Sequence, residues 1–359
     1  MFMPTPREIF EAAAHLAEQE TVPVSPFLTG HFMSWFAGID EAHASLYWGR
    51  DYKTKLRCQL NAVERFIDVK IWPGIYPDFG VAAETSALGC NVVFPENAAP
   101  GVKESPVKAP EDIERVEPAD PERDGLMPLV LEAYEYMMRN VPKDLMETHG
   151  YLDGFAISLG PTDVAGLVVG YDKYIIWQFD YPDLIHKIMK VATETVINYI
   201  EAQLEVTGEP KFIIIADDAT GFLNKSSFEK FSFPYVGEVC ERFYRKDNIV
   251  LFHSDSDNMA IVDKMKDWKI HMYNFGPRMS LKTLKEKLGD KIALIGGLAP
   301  LGPLRHGRPE DVDMACKAAI EDGDRSGFIL SMCGGTAAGT PEENIRAMIE
   351  AGKKYGGKG

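Results

Sequence analysis

The feature that most constrains this chain is an alternation of two kinds of segment. Short apolar runs of four to six residues recur along it: Phe66–Ile71, Asn91–Phe94, Gly154–Ser158, Phe212–Ala216, Ile249–Phe252, Ile270–Phe275, Ile292–Ile295 and Phe328–Ser331. Several are bounded by Gly, Asp, Asn or Pro, as parallel strands buried on both faces are. Between the later runs lie stretches of helical period. In 181–206, Leu184, Ile188, Val191, Thr195, Ile197 and Ile200 recur close to every 3.6 residues, and Pro182 suits a first helical turn. Further helices are expected over 227–244, 258–267, 280–288, 309–322 and 340–355. Strand and helix alternating about eight times predict an α/β fold, a TIM-type (β/α)8 barrel. A doubly wound open sheet is the alternative, and the lack of a GxGxxG after a first strand disfavours it. One barrel domain is expected over 1–359. Residues 1–60 read as an N-terminal helical extension, and the Pro-rich, charged stretch 97–126 as an excursion over the surface.

Composition narrows the function classes. The chain carries a net charge of −16 over 359 residues, so free nucleic acid is not an expected partner. No apolar run approaches the roughly 20 residues that span a bilayer. The start, MFMPTPREIFEAAAHLAEQE, has neither the basic nor the apolar region of a signal peptide. The five cysteines, Cys58, Cys90, Cys240, Cys316 and Cys333, have no CxxC spacing. An odd, sparse set fits a reducing compartment, and a cytoplasmic protein is expected.

In such a barrel the active site lies at the C-terminal ends of the strands. Asp217 and Asp218 follow one run. His253, Asp255 and Asp257 follow the next, in FHSDSDN. Asn274 follows a third, Gly296-Gly297 a fourth, and Cys333 with Gly334 and Gly335 the last. Each has a plain explanation: an Asp after a strand most often caps the next helix, a Cys there is usually a small buried hydrophobe, and paired glycines make tight turns. Their convergence is harder to dismiss, since His, Asp and Cys are zinc donors. Glu84, among Ala82, Ala83 and Ala87, is either an exposed helical glutamate or an inward carboxylate. Phe32, Trp35, Phe36, Tyr47 and Trp48 form either a core cluster or the wall of a flat substrate site.

The segments LFHSDSDN, IHMYNFGP, GFILSMCGGTAAGTPEENIRAMIEAG, FIIIADDATGFLNKSSFEKFSFPY and ETSALGCNVVFPE together resemble the uroporphyrinogen decarboxylase superfamily over roughly residues 60–355. The decarboxylases carry an Arg-Gln-Ala-Gly-Arg motif near the N-terminus. The comparable stretch here, VSPFLTGHFMSWFAGIDEA, has nothing similar. The other branch holds the cobamide-dependent methyltransferases. Those that methylate coenzyme M, a thiol, use zinc held by His-x-Cys on one strand end and a Cys before Gly on a later one. His253 and Cys333 match; Asp255 stands where the middle Cys would be.

The resemblance implies zinc held by Glu84, His253, Asp255 and Cys333. An oxygen ligand in place of a thiolate suits an oxygen substrate better than a thiol, as in the branch members that demethylate methoxylated aromatics. Asp217, Asp218 and Asp257 are expected to support the metal or move a proton, and Asn274 and Gly334 to touch the cofactor. This chain has no Asp-x-His-x-x-Gly corrinoid motif, so the corrinoid is expected on a separate corrinoid-binding protein. A homodimer is compatible with this reading. The alternatives are methyl transfer from a methyl-corrinoid to a thiol, and decarboxylation of an acidic tetrapyrrole.

Overall fold

A computed structural model describes residues 3–357. An antiparallel hairpin comes first, β1 (Asn91–Val93) and β2 (Gly101–Glu104). Six parallel strands follow as one sheet in chain order: β3 (Phe155–Leu159), β4 (Phe212–Ala216), β5 (Ile249–Ser254), β6 (Met272–Phe275), β7 (Ala293–Leu298) and β8 (Phe328–Met332). Their side chains are almost all buried, which is why they read as unbroken apolar runs. The expected helix over 181–206 is present as Pro182–Thr207, and those over 280–288, 309–322 and 340–355 as Leu281–Leu288, Pro309–Gly323 and Glu342–Gly356. The stretch 227–244 is two helices, Lys225–Phe231 and Phe233–Phe243. Pro234 has no N–H with which to continue the first, so the chain restarts there. Within 258–267 only Val262–Met265 is helical.

The remaining two staves of the barrel are irregular. Residues 22–28 run parallel to β8: Val24 pairs with Leu330, Ser25 N–H donates to Leu330 O at 3.0 Å, and Leu330 N–H donates to Pro23 O at 2.9 Å. Next to them lies the segment 70–72, where Leu28 N–H donates to Trp72 O at 3.1 Å and Trp72 N–H to Pro26 O at 3.0 Å. Pro23, Pro26 and Pro73 cannot donate, so both segments pair through single bridges instead of ladders. Residues 1–60 are therefore not only a helical layer. Helices Pro6–Ala14, Gly30–Phe36 and Tyr52–Arg65 lie in or run into that stretch, but 22–28 is barrel wall. Two expected barrel strands change place. Most of Phe66–Ile71 is the turn that leaves helix Tyr52–Arg65, and Asn91–Phe94 supplies the hairpin outside the barrel. The stretch 97–126 packs down, burying Val107, Ile113, Val116 and Ala119.

Among the described residues no backbone ladder joins 70–72 to β3. Side chains serve the open edge of β3, because buried backbone groups need partners. Gln203 Oε1 accepts Ile157 N–H and its Nε2 donates to Ile157 O, both at 3.0 Å. Glu84 Oε1 accepts Leu159 N–H at 2.9 Å. No helix is long and apolar enough to cross a membrane among the described residues.

Candidate metal centre

Register builds the site. Ala216 lies beside His253, and His253 beside Asn274, in adjacent strands. His253 Nδ1 meets Asn274 Oδ1 at 2.7 Å. Asn274 is fully buried, and its Nδ2 donates to Ile295 O at 2.6 Å and Met332 O at 3.0 Å. The amide cannot be turned round, since that would set Oδ1 against two carbonyl oxygens. Oδ1 therefore accepts and His253 carries a proton on Nδ1, so in the neutral imidazole the free lone pair is on Nε2. Phe27, stacked on Trp72 at 3.8 Å, meets the imidazole edge-on at 5.2 Å and limits its tilt. Asn274 is thus a positioning residue for His253; its side-chain hydrogen bonds are spent inside the wall and none is left for a cofactor.

Nε2 lies 3.6 Å from Asp255 Oδ1. Asp218 completes the cluster: one ligand atom each from Asp218, His253 and Asp255 lie within 4.8 Å of one another. Two ligand atoms about 2.1 Å from a tetrahedral ion lie about 3.4 Å apart, so the imidazole–carboxylate spacing already fits a divalent cation. The donors, one neutral imidazole and two carboxylates, are those of zinc and similar ions. Asp218 Oδ1 also accepts Asp255 N–H at 2.5 Å, which ties the two strand ends together. Partial burial and the Asp218 charge push the Asp255 carboxyl up, while His253 opposes them; a bound cation would relieve that.

Asp217 does something else. It is fully buried, and its two oxygens accept Thr162 N–H at 2.9 Å and Asp163 N–H at 3.0 Å, capping helix Pro161–Val169 from outside. Asp163 returns the contact. Its oxygens accept Asp218 N–H at 2.7 Å and Ala219 N–H at 3.2 Å, and Tyr171 donates to it at 2.6 Å. Burial first, then the charge of Asp218, push Asp163 up to about 6. This reciprocal pair fixes the backbone from which Asp218 projects. Asp163 was not anticipated, although Gly-Pro-Thr-Asp at 160–163, with Pro in a first turn, signals a helix start.

The remaining expectations are redistributed. Cys333 lines the same cavity but is not among the mutually close groups. Its Sγ accepts Gly297 N–H at 3.0 Å, and burial with the nearby Asp255 charge pushes the thiol up to about 12. Gly334 has φ +107°, and a Cβ there would stand 2.8 Å from Asp255 Oδ1, so it makes room for Asp255. Asp257 is exposed, and its Oδ1 accepts Met259 N–H at 3.1 Å, which is turn capping away from the cluster. Glu84 is not with His253 either. Its Oε1 takes Ser158 Oγ–H and Leu159 N–H, both at 2.9 Å, and it lines a separate inner cavity.

The cluster opens into a cavity of about 710 Å3. Phe27, Trp35, Ile39, Pro277, Pro300 and Leu301 supply its apolar wall. Of the N-terminal aromatics, Trp35 reaches this cavity, whereas Phe32, Tyr47 and Trp48 are buried in packing. His31 also lines it, a residue that one His in a helix start gave no reason to select. No Lys or Arg lines it among the described residues.

The family model for uroporphyrinogen decarboxylase (URO-D) matches residues 5–355. The chain is 23% identical over 281 residues to the methylcobamide:CoM methyltransferase MtbA of Methanosarcina mazei, covering 77% of this chain and 78% of that protein. It is 23% identical over 319 residues to a uroporphyrinogen decarboxylase of Schizosaccharomyces pombe, covering 85% of each. A solved structure, a methyltransferase from Methanosarcina mazei, has the same fold, with a TM-score of 0.80 at 22% identity over 98% of this chain and 99% of that one.

Proposed function

The chain belongs to the uroporphyrinogen decarboxylase family, and we propose that within it this protein is a corrinoid-dependent methyltransferase that takes the methyl group of a methoxylated aromatic compound and delivers it to the Co(I) corrinoid of a partner protein. The observation that carries this reading is the donor set of Asp218, His253 and Asp255 at the mouth of a barrel cavity. It is oxygen-rich and hard, which suits an ether oxygen. The decarboxylase reading is disfavoured by the same cavity. A wall without Lys or Arg among the described residues, and with Asp255 and Glu41 in it, does not suit an acidic tetrapyrrole.

A zinc ion there would supply Lewis acidity to the ether oxygen as the O–CH3 bond breaks, and the partner's cobalt would accept the methyl group. The chain's own residues do the rest. His253 Nε2, Asp255 and Asp218 would hold the ion, and Asn274, by fixing a proton on Nδ1, would leave Nε2 to it. Phe27 and Trp35 offer flat apolar surface to an aromatic ring. Leu301, 64% exposed in the lining of the cavity, marks the side from which a protein-held corrinoid would approach. The electron pair of the broken bond stays on the phenolate oxygen, which leaves as the phenol once protonated.

A second reading, methyl transfer from a methyl-corrinoid to a thiol, is favoured by the likeness to MtbA and by Cys333 on the same wall. Zinc-loaded protein mixed with a Co(I) corrinoid and a panel of methoxybenzenes tests the first reading through the cobalt spectrum. Conversion to methylcobalt with at least one ether supports it. No conversion with any ether, together with demethylation of a methyl-corrinoid by a thiol, replaces it with the second.

A further inference from the structure

A second cavity of about 210 Å3 lies in the barrel wall beside the open edge of β3. It is smaller than the roughly 300 Å3 at which drug-sized sites begin, so only a small molecule would fit. Tyr76, Phe79, Tyr134 and Tyr199 line it with two carboxyls, Asp78 and Glu84. Both acids are buried, 5% and 3% exposed.

The two carboxyls differ in what balances them. Asp78 accepts from Tyr47 Oη at 3.2 Å and from Gly80 N–H at 3.1 Å, and it lies in the field of the buried Lys55. That lysine is otherwise committed: Nζ donates to Tyr47 O and sits 4.5 Å from the Phe79 ring centre and 5.1 Å from that of Tyr47. Glu84 has no such cation. Ser158 and Leu159 both donate to Oε1, and among the described residues no other residue donates to Oε2; burial pushes the carboxyl up, while these bonds and one from its own backbone N–H oppose that. No Lys, Arg or His lines the cavity among the described residues. The proximity of Glu84 to the rings shows in the phenols of Tyr134 and Tyr199, which burial and then the Glu84 charge push up.

A buried carboxylate without a cationic partner is costly. A cavity that pairs one free carboxylate oxygen with aromatic rings is the chemistry that recognises alkylated ammonium ions, through charge and through the negative faces of the rings. We propose that this inner cavity binds a small alkylated ammonium ion, held by Glu84 Oε2 among the rings of Tyr76, Tyr134 and Tyr199. The site is distinct from the cluster of Asp218, His253 and Asp255, and it needs neither metal nor corrinoid. Its failure and that of the methyl-transfer reading are therefore separable.

The test is titration of the full, metal-free chain with tetramethylammonium at constant ionic strength, read by saturation-transfer NMR and tyrosine fluorescence. Neopentyl alcohol, of similar shape and no charge, is the comparison ligand. Saturable binding of the cation is expected, with the alcohol at least about tenfold weaker. Glu84→Gln keeps an acceptor for Ser158 and Leu159 and removes the charge. It is expected to weaken the cation about ten- to a hundredfold. Tyr199→Phe keeps the ring and should bind nearly as well as the parent, whereas Tyr199→Leu should bind more weakly. These two report even if Glu84→Gln unfolds. Absence of saturable binding, equal affinity for the neutral alcohol, or Tyr199→Leu matching Tyr199→Phe would each overturn the proposal.

Discussion

Replacing Asn274 by Leu keeps the side chain's approximate volume and removes three hydrogen bonds at once. His253 Nδ1 loses the acceptor at 2.7 Å, and the carbonyls of Ile295 and Met332 lose their shared donor. At about 1 kcal/mol per bond, and with the buried leucine returning part of it, the chain should lose about 2–3 kcal/mol of stability. The larger effect is on the metal. Without Oδ1, His253 is free to move its proton to Nε2 and to turn off the line toward Asp255. Loss of such an orienting partner lowers metal affinity about 10- to 100-fold. Asn274→Asp separates the two effects: it keeps an acceptor for Nδ1 but loses the Nδ2 donor, so stability should fall while zinc affinity stays within severalfold of the parent. Affinity is read by competition with a chromophoric chelator at fixed pH, stability by denaturant melts, and the tautomer by 15N shifts of the imidazole in the metal-free protein. A folded Asn274→Leu chain that binds zinc as tightly as the parent, or a parent His253 protonated on Nε2, would refute the reasoning.

Two further outcomes follow from single buried groups. Lys70, 5% exposed and ringed by Phe10, Tyr151 and Phe212, is pushed by burial, and then by the charge of Arg7, down to about 7. Between pH 7 and the ordinary lysine value of about 10.4 the unfolded chain holds a proton that the folded chain lacks. Stability therefore gains about 1.4 kcal/mol per pH unit from this group as pH rises through that window. Subtracting the Lys70→Met stability curve from the parent's should expose that slope between pH 7 and 9, and a flat difference would refute it. At Gly334, φ of +107° and the 2.8 Å approach to Asp255 make Gly334→Ala costly by about 1–3 kcal/mol. Zinc affinity should fall with it as Asp255 is displaced, so a variant with unchanged melting and unchanged metal titration would show that the close approach is not needed.

What the sequence displayed, and what it hid, divides along backbone chemistry. Strands β3 to β8 are buried on both faces and carry no proline, so their apolar runs are plain. The staves 22–28 and 70–72 are equally part of the wall, but Pro23, Pro26 and Pro73 interrupt them and their pairing comes down to single bridges. No periodicity reports such a stave. The same limit applies to the site. His253, Asp255 and Asp218 were visible because they follow strands directly, yet side-chain direction decides which neighbours meet, and strand position alone does not carry it. Asp217 and Asp218 are adjacent in sequence; one caps a helix in the wall and the other faces the cluster. Glu84 matched a motif, but the open edge of β3 claimed it, and that edge exists only because the neighbouring stave is irregular. Asp163 escaped notice because its partners are the backbone amides of Asp218 and Ala219, about 55 residues downstream.

If zinc binds as proposed, the choice between an ether donor and a thiol acceptor turns on how many thiolates would reach it. Charge does not decide it: a divalent ion with Asp218, Asp255 and neutral His253 is formally neutral, as it would be with two thiolates and an imidazole. Softness does decide it, because each thiolate donates more electron density and leaves less Lewis acidity for an ether oxygen. Cys333 is the only thiol lining the cavity among the described residues, and its Sγ, which accepts Gly297 N–H, lies outside the close cluster. Cobalt(II) in place of zinc counts thiolates directly, since a cobalt–thiolate bond adds an intense near-ultraviolet charge-transfer band that oxygen and nitrogen ligands lack. The parent is expected to show no such band, and Asp255→Cys to show one. Asp255→Cys should at the same time bind small thiols more tightly and lose activity toward methyl ethers. A band in the parent that disappears in Cys333→Ser would place Cys333 on the metal. The centre would then be softer than Asp218, His253 and Asp255 make it, and the balance would shift from ether cleavage toward thiol methylation.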